Sequence, residues 1–463
     1  MINSTIYTCP ICGSNQLEIV KEEIICPQCE SHYPKINDIP IFVENTFSYI
    51  NDTYISLECH IKNIREYIES NQKMFPFQNG RISTLNKIVD SYTQNLVLYE
   101  QMSESIKKYV NINYILQSDL NRYKNDPLIG KELLYVVRDW GYSNESEDEI
   151  SSIYSMIEKL IKKFSILDSI LFIGCGTGRF ACEASQIVKK VYCSDLSYRM
   201  IYLLDGILNN KSFNIHEIND SNVYSIDDVI RNFTVKASNL SSTVKNINYF
   251  ISDVRQLPIE DESLNTVASV YFIDVMNIEN YIQEISRVLK TNGVFINIGP
   301  IGYPYSNFVH KILPTEIKQI FKKNNFEIVF EEFLECTYMH SNIKLSKTIH
   351  KNWIFVARKK TENQVSINID SVLSINTSVF IETKVEINNH GSSVFEHNLI
   401  TKNGSVYEHS DLIIEILKQI NGKISIKQII EVLSENFELE FEADYLLSVI
   451  GKLIKDKTLE LVQ

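Results

Sequence analysis

A chain of 463 residues exceeds what one ordinary domain needs and leaves room for a large core. Its hydrophobic fraction of 44% and charged fraction of 22% are those of a soluble globular protein, while a net charge of −13 argues against a broad phosphate-binding surface and so against nucleic-acid partners. No apolar run reaches the roughly 18 residues needed to cross a bilayer, and the opening MINSTIYTCP has no basic stretch leading into an apolar one, so neither a membrane partner nor a signal peptide is expected.

Residues 1–45 carry two knuckles, Cys9-Pro-Ile-Cys12 and Cys26-Pro-Gln-Cys29. Two such turns can aim four thiolates at one tetrahedral ion, so the spacing predicts a zinc ribbon whose closed site is structural. The other cysteines (Cys59, Cys175, Cys182, Cys193 and Cys336) are scattered, which is no disulfide framework and suits a reducing, cytoplasmic setting. Residues 46–165 read as a helical extension, with Ile153, Ile157, Leu160 and Ile161 at helical spacing. From 166 to 360 strands and helices alternate, the signature of an α/β Rossmann-like core with a parallel sheet covered on both faces. ILFI, VYCSD, YFISDV, TVASVYFID, GVFINIGP and WIFVARKK are its strand candidates. A polar stretch between Ser197 and Asn248 is longer than a usual connection and reads as an insertion. Residues 360–382 read as a linker or edge hairpin. From 383 to 463 a hairpin precedes three helices, LIIEILKQI, IKQIIEVLSENF and EADYLLSVIGKLIKD.

Gly174-Cys175-Gly176-Thr177-Gly178 follows ILFI and opens a helix at Arg179. Glycines let the turn tighten and the backbone approach a ligand. Asp195 ends the next strand, 17 positions after Gly178, where a carboxylate can accept from a ribose diol. Ala181 stands where a dinucleotide fingerprint has its last glycine, and the Walker lysine is missing, so S-adenosylmethionine fits better than NAD or a nucleoside triphosphate. Asp253 ends a third strand, placed to accept from the adenine amino group while Val254 packs on the ring. Asp274 follows residues 270–273, which look like a buried strand. It either caps a helix over 277–288 or faces a substrate, and the residues alone leave both open.

Several stretches together resemble the carnosine N-methyltransferase family: LYVVRDWGY at 134–142, GCGTGRFACEAS, SDLSYRM, the block YFIDVMNIENYIQEISRVLKTNGVFINIGPIGY, and the closing TYMHSNIKL and WIFVARK. The likeness runs from about residue 95 to 359 and implies a class I methyltransferase core. It implies that Arg138 contacts the methionine carboxylate of S-adenosylmethionine, the plain alternative being a surface salt bridge to Asp139 or Glu132. Gly174, Gly176, Gly178 and Arg179 match the cofactor loop. Asp274 matches the aspartate that contacts the substrate imidazole. Tyr303 and Tyr338 fall in matching segments on the substrate side. Two departures alter that side: Pro304-Tyr305 follows Tyr303 where the family has a histidine, and Thr348-Ile349-His350 replaces a tyrosine-rich run. His350 could supply a lost polar contact, although a lone histidine is more often structural. Carnosine itself is therefore not carried over.

Two further resemblances frame this core. SHYPKINDIPIFV is similar to the zinc ribbons that accompany methyltransferases, with Asn37-Asp38 in place of their Asp-Gly pair. Residues 383–463 resemble PqqD-like winged-helix modules, through VYEHSDLIIEILKQINGKISIKQIIEVL and LLSVIGKLIKDKTLELV. Such modules hold a peptide by adding it as a strand. The combination implies methylation of a histidine imidazole in a ribosomally made precursor peptide. The alternatives are a methyltransferase of small histidine-containing dipeptides, and a non-catalytic peptide chaperone with a degenerate fold.

Overall fold

The two cysteine knuckles each close where the backbone turns left-handed, at Gly13 (φ 73°) and at Glu30 (φ 57°). Short strands β1 (Glu18–Val20), β2 (Glu23–Ile25), β3 (His32–Ile36) and β4 (Ile39–Phe42) pair antiparallel in sequence order. Between β3 and β4, Asn37 and Asp38 both hold positive φ, 52° and 66°. A two-residue hairpin turn of the favoured hand demands this, and short polar side chains tolerate it.

The computed structural model describes residues 6–77, 79–110, 131–236, 246–360, 369–375, 379–388, 391–401, 406–408, 416–437, 443–455 and 459–461. The chain divides into two compact units, Met1–Thr361 and Glu362–Gln463. The first unit contains the knuckles and the helical extension together with the alternating core. Helices α1 (Thr46–Gln72), α2 (Ile82–Lys107), α3 (Lys131–Trp140) and α4 (Asn144–Lys163) form the extension. Ser143 caps α4 by accepting the Ser146 amide, Glu145 and Glu147 lie in the first turn, and Lys162 and Lys163 in the last, each complementing the helix dipole. Its buried stripe includes Ile153, Ile157, Leu160 and Ile161, as the spacing requires.

The core then runs β5 (Ser169–Ile173), α5 (Arg179–Ala184), β6 (Lys190–Asp195), α6 (Tyr198–Leu208), β7 (Phe213–Ile218), β8 (Ile230–Val235), β9 (Ile247–Ser252), β10 (Leu264–Val270), α7 (Ile282–Val288), β11 (Leu289–Gly299), α8 (Pro314–Lys323), β12 (Phe326–Tyr338) and β13 (Thr348–Lys359). The strands lie side by side as β9-β6-β5-β10-β11-β13-β12. All are parallel except β13, which is antiparallel to both neighbours. The order reverses between β5 and β10, and in such sheets ligands bind beyond the carboxyl ends of the strands at that point. β4 extends the same sheet by pairing parallel with β9, so the ribbon is built onto the sheet. Tyr7 seals the join, its ring against Phe42, Tyr192 and Phe250.

Two expectations change in this unit. Strand β10 ends at Val270, so residues 271–273 are not strand; Tyr271 turns left-handed (φ 57°) and the chain turns over 271–275. The polar stretch after Ser197 is largely structured: α6 occupies its start, and β7 and β8 form an antiparallel hairpin. Asn95 of α2 docks that hairpin by donating to the His216 carbonyl (2.7 Å) and accepting the His216 amide (2.9 Å). Residues 237–245 of the stretch lie outside the described set.

In the second unit β14 (Leu373–Ile375) falls within the stretch read as a linker or edge hairpin. Strands β15 (Val379–Asn388), β16 (Gly391–Thr401) and β17 (Val406–Glu408) form an antiparallel meander. Helices α9 (Ile426–Phe437) and α10 (Ala443–Lys455) follow, and β18 (Leu459–Leu461) pairs with β14. Leu373, Ile416, Ile426, Leu433, Leu446, Ile450 and Leu459 make one apolar cluster. Much of the expected first helix lies outside the described residues, which hold 416–419 of it as helix. Among the described residues no helix is long and apolar enough to cross a membrane.

Candidate active site

The glycine loop sits at the carboxyl end of β5. Gly174, Gly176 and Gly178 all hold positive φ (56°, 55° and 74°). A Cβ on Gly174 would come within 2.0 Å of the Phe272 ring and one on Gly178 within 2.7 Å of Leu204, whereas one on Gly176 would meet nothing within 4 Å. Two glycines therefore serve packing, and the middle one leaves room above the loop. Asp195, at the end of β6, accepts the Gly176 amide (2.9 Å) on one oxygen and the Ser197 amide (2.8 Å) on the other. Burial raises its pKa against the pull of these amides. A carboxylate has about four acceptor sites, so it keeps capacity for a diol.

The segment Arg138-Asp139-Trp140 of α3 is bonded to this loop. The Trp140 indole donates to the Thr177 carbonyl (3.2 Å) and hydroxyl (3.1 Å), and that hydroxyl donates to Asp139. Arg138 pairs with Asp139 at 2.7 Å and lies 3.9 Å from Glu149. The pair is not at the surface: its side chains are 11% and 5% exposed, while Glu132 pairs instead with Arg199. Arg179 also points into protein. It grips Glu147 through two parallel bonds of 3.0 Å, reaches Glu183 at 3.0 Å, and donates to the Asp139 carbonyl. Its guanidinium thus fixes the back of the loop. At the end of β9, Asp253 is held by Arg255, whose backbone amide donates at 2.8 Å and whose guanidinium grips both oxygens. Burial alone would raise Asp253, but these contacts outweigh it and hold the carboxyl below its ordinary value. Val254 beside it is buried.

Beyond β10 and β11 lies the second half of the site. Asp274 accepts the Gly302 amide at 2.7 Å. It caps no helix: Asn277 caps the short turn Ile278–Asn280 by accepting the Glu279 amide, and α7 starts later. Burial raises the Asp274 pKa, opposed by the Gly302 amide, its own amide and the charge of His350. Tyr303 and Tyr305 stack with ring centroids 5.9 Å apart. Tyr338 of β12 and His350 of β13 stack at 4.2 Å, and Tyr271 lies 5.5 Å from Tyr338. The Arg138 guanidinium is 5.7 Å from the Tyr271 ring, which joins the two halves. The Tyr303 hydroxyl and His350 Nδ1 are buried without a hydrogen-bond partner among the described residues. Burial lowers the His350 pKa against the pull of Asp274. Asp274, Tyr303, Tyr338 and His350 thus form one aromatic cluster at the carboxyl ends of the strands.

A family model described as carnosine N-methyltransferase matches residues 123–361, over half the chain. The chain belongs to the carnosine N-methyltransferase family. It is a methyltransferase dependent on S-adenosylmethionine. The Mus musculus carnosine N-methyltransferase is 23% identical over 64% of this chain and 80% of that protein. That of Schizosaccharomyces pombe is 24% identical over 60% of this chain and 84% of that protein. Among solved structures, magnesium protoporphyrin IX methyltransferase from Synechocystis PCC 6803 with bound cofactor is 13% identical, with a TM-score of 0.33, over 54% of this chain and all of that one.

As a member of the carnosine N-methyltransferase family, the chain holds groups that motif reading passed over. Glu149 lies 1% exposed on α4, accepts the Met339 amide at 2.7 Å, and is pushed up to about 7, chiefly by burial. The signal for it is periodicity: Glu149 stands on the buried stripe of Ile153, Met156 and Leu160. Gly302 acts through its backbone amide, and Arg255 and Thr177 through side chains that no motif singles out.

Away from this site, Cys9, Cys12, Cys26 and Cys29 place four sulfurs within 4.8 Å of one another. Tyr33 and Ser31 lie 3.1 Å from the Cys9 and Cys29 sulfurs.

Proposed function

We propose that this methyltransferase transfers a methyl group to an imidazole nitrogen of a histidine in a ribosomally made precursor peptide. The observation that supports it best is Asp274, a half-buried carboxylate with no helix to cap, set among Tyr303, Tyr338 and His350. S-adenosylmethionine, when bound, supplies a methyl group already activated on a sulfonium. Arg138, Asp195, Asp253 and Val254, with the open space above Gly176, are the groups that would hold it. Arg179 supports the loop from behind.

An imidazole nitrogen attacks only through a free lone pair, so the other nitrogen must carry the proton. Asp274 accepting that N–H fixes the tautomer and raises ring basicity. The N–C bond would form as the methyl–sulfonium bond breaks and leaves a neutral thioether; the ring becomes an imidazolium, and the carboxylate across it balances that charge until the N–H proton passes to Asp274 and on to water. Aromatic walls orient the ring and exclude water.

The four sulfurs fit one tetrahedral Zn²⁺ as a closed site, which we assign a structural role. The meander β15–β17 and the helices after it support a PqqD-like peptide-binding reading of the second unit. The test is a panel of histidine-containing peptides and dipeptides incubated with the full chain and S-adenosylmethionine, read by mass spectrometry. Methylation of an imidazole supports the proposal. Methylation of an Asn, Ser or carboxyl group refutes it, and activity on dipeptides alone favours a small-molecule enzyme.

A further inference from the structure

Two segments lead away from the aromatic cluster at Asp274, which we call its lips, and both hold large apolar side chains in water. One lip is the turn after β10 and the loop after β11. There Val275, next to Asp274, is 51% exposed, Phe308 81% and Val309 66%. This lip is ordered by its own contacts: the Tyr305 hydroxyl donates to the Val275 carbonyl at 2.8 Å, and the Tyr305 ring meets His310. The other lip is the connection from Tyr338 to Thr348, which are paired in register at the end of β12 and β13. There Leu345 is 67% exposed, and Tyr224 from the β7–β8 connection 90%. Val223 bridges Lys344, the Leu345 amide donates to the Asn222 carbonyl (2.9 Å), and the Asn222 amide group donates to Ser346 (2.6 Å).

A single exposed apolar side chain is ordinary. A set on two backbone-fixed lips, continuous in chain with Asp274 and with the Tyr338–His350 pair, marks an interaction surface. A dipeptide has a residue on one side of its histidine only, so with the imidazole at Asp274 it cannot cover both lips. A chain running outward on both sides of the target histidine would cover both. We propose that the lips are subsites for apolar side chains flanking the methylated histidine, so that the enzyme selects its histidine by apolar neighbours. The proposal rests on the imidazole-methylation reading and names its substrate class.

Short synthetic peptides with one histidine flanked by Leu and Phe, or by Gly and Ser, test it with the full chain. Apolar flanks should lower KM by about tenfold or more with little change in kcat, since each buried apolar side chain adds to binding. In Phe308→Ser/Val309→Ser and in Tyr224→Ser/Leu345→Ser that advantage should vanish, while the KM for the Gly/Ser peptide stays at the wild-type value. Equal KM for both peptides in the wild type overturns the proposal, as does an advantage that survives both double variants. If no histidine is methylated, the methylation reading fails by itself, and hydrogen exchange then reads the lips. Protection of residues 305–313 by the apolar peptide alone, lost in the double variants, still supports apolar-peptide docking. No protection overturns it, and so does protection already present in the free protein, which would mean that another part of the chain or a second copy covers the lips.

Discussion

The Gly302 amide donates to the Asp274 carboxylate at 2.7 Å, tying the loop after β11 to the turn after β10. The bond holds the carboxylate at the carboxyl ends of two neighbouring parallel strands, where this sheet type presents its ligands. The Tyr271 φ of 57° makes the turn that brings it there. The donor is backbone but the acceptor is the Asp274 side chain, so the anchor is kept only by a replacement that retains an acceptor oxygen there, such as asparagine.

The glycine loop predicts opposite outcomes for two like substitutions. Gly176→Ala meets open space, so it should cost only about 1 kcal/mol for a left-handed alanine, yet weaken S-adenosylmethionine binding tenfold or more. Gly174→Ala meets the Phe272 ring at 2.0 Å and should destabilise the fold by roughly 1–3 kcal/mol beyond that backbone strain. Thermal melts and calorimetry on both variants check this. Equal loss of stability in the two would contradict it.

Glu149 predicts a pH dependence. Burial lifts its pKa from 4.5 to about 7, opposed by Arg138 and the Met339 amide. Between those values the folded protein keeps a proton that the unfolded chain has lost. Stability is therefore highest below 4.5 and falls as pH rises to about 7. The loss is up to roughly 3 kcal/mol, at 1.36 per unit. Asp195 and Asp274 are also raised, so the readout is the difference between wild type and Glu149→Gln. Denaturation curves should converge with the variant's at low pH and separate towards pH 7; parallel curves would rule the assignment out.

Much of this arrangement was legible in the sequence because it is local. The cysteine pairs, the glycine loop and Asp195 each depend on a few neighbouring residues and on strand ends that periodicity reveals. Asn37-Asp38 takes a hairpin turn because both side chains tolerate positive φ. What was not legible depends on register between distant segments. Nothing in residues 39–42 announces that β4 will pair with β9, or that Tyr338 and His350 will stack beside Asp274. The β7–β8 hairpin hid in a polar stretch because its buried residues, Phe213, Ile215 and Glu217, alternate with exposed or half-buried ones and one is itself a carboxylate. The end of β10 was misread because Val270 to Ile273 are all apolar, and only the Tyr271 backbone shows the turn.

The ribbon is expected to matter to the whole first unit. β4 is a strand of the main sheet, and Tyr7 packs on Tyr192 and Phe250. Purified protein should hold about one equivalent of zinc, and Cys26→Ser should lose it. Melting of the methyltransferase core should fall with the metal, by roughly 1–2 °C for each kcal/mol lost in a unit of this size. A core that melts at the same temperature without zinc would mean that the ribbon is an independent appendage.

The most direct test is Asp274→Asn. The asparagine oxygen can still accept the Gly302 amide, so fold and cofactor affinity should stay close to wild type, as a melt and calorimetry would report. The amide carries no charge and can turn its NH₂ to the ring, so the imidazole loses both basicity and its fixed tautomer. Methyl transfer to a histidine peptide, followed by mass spectrometry, should then fall by roughly two to four orders of magnitude. Full activity in Asp274→Asn would contradict the account.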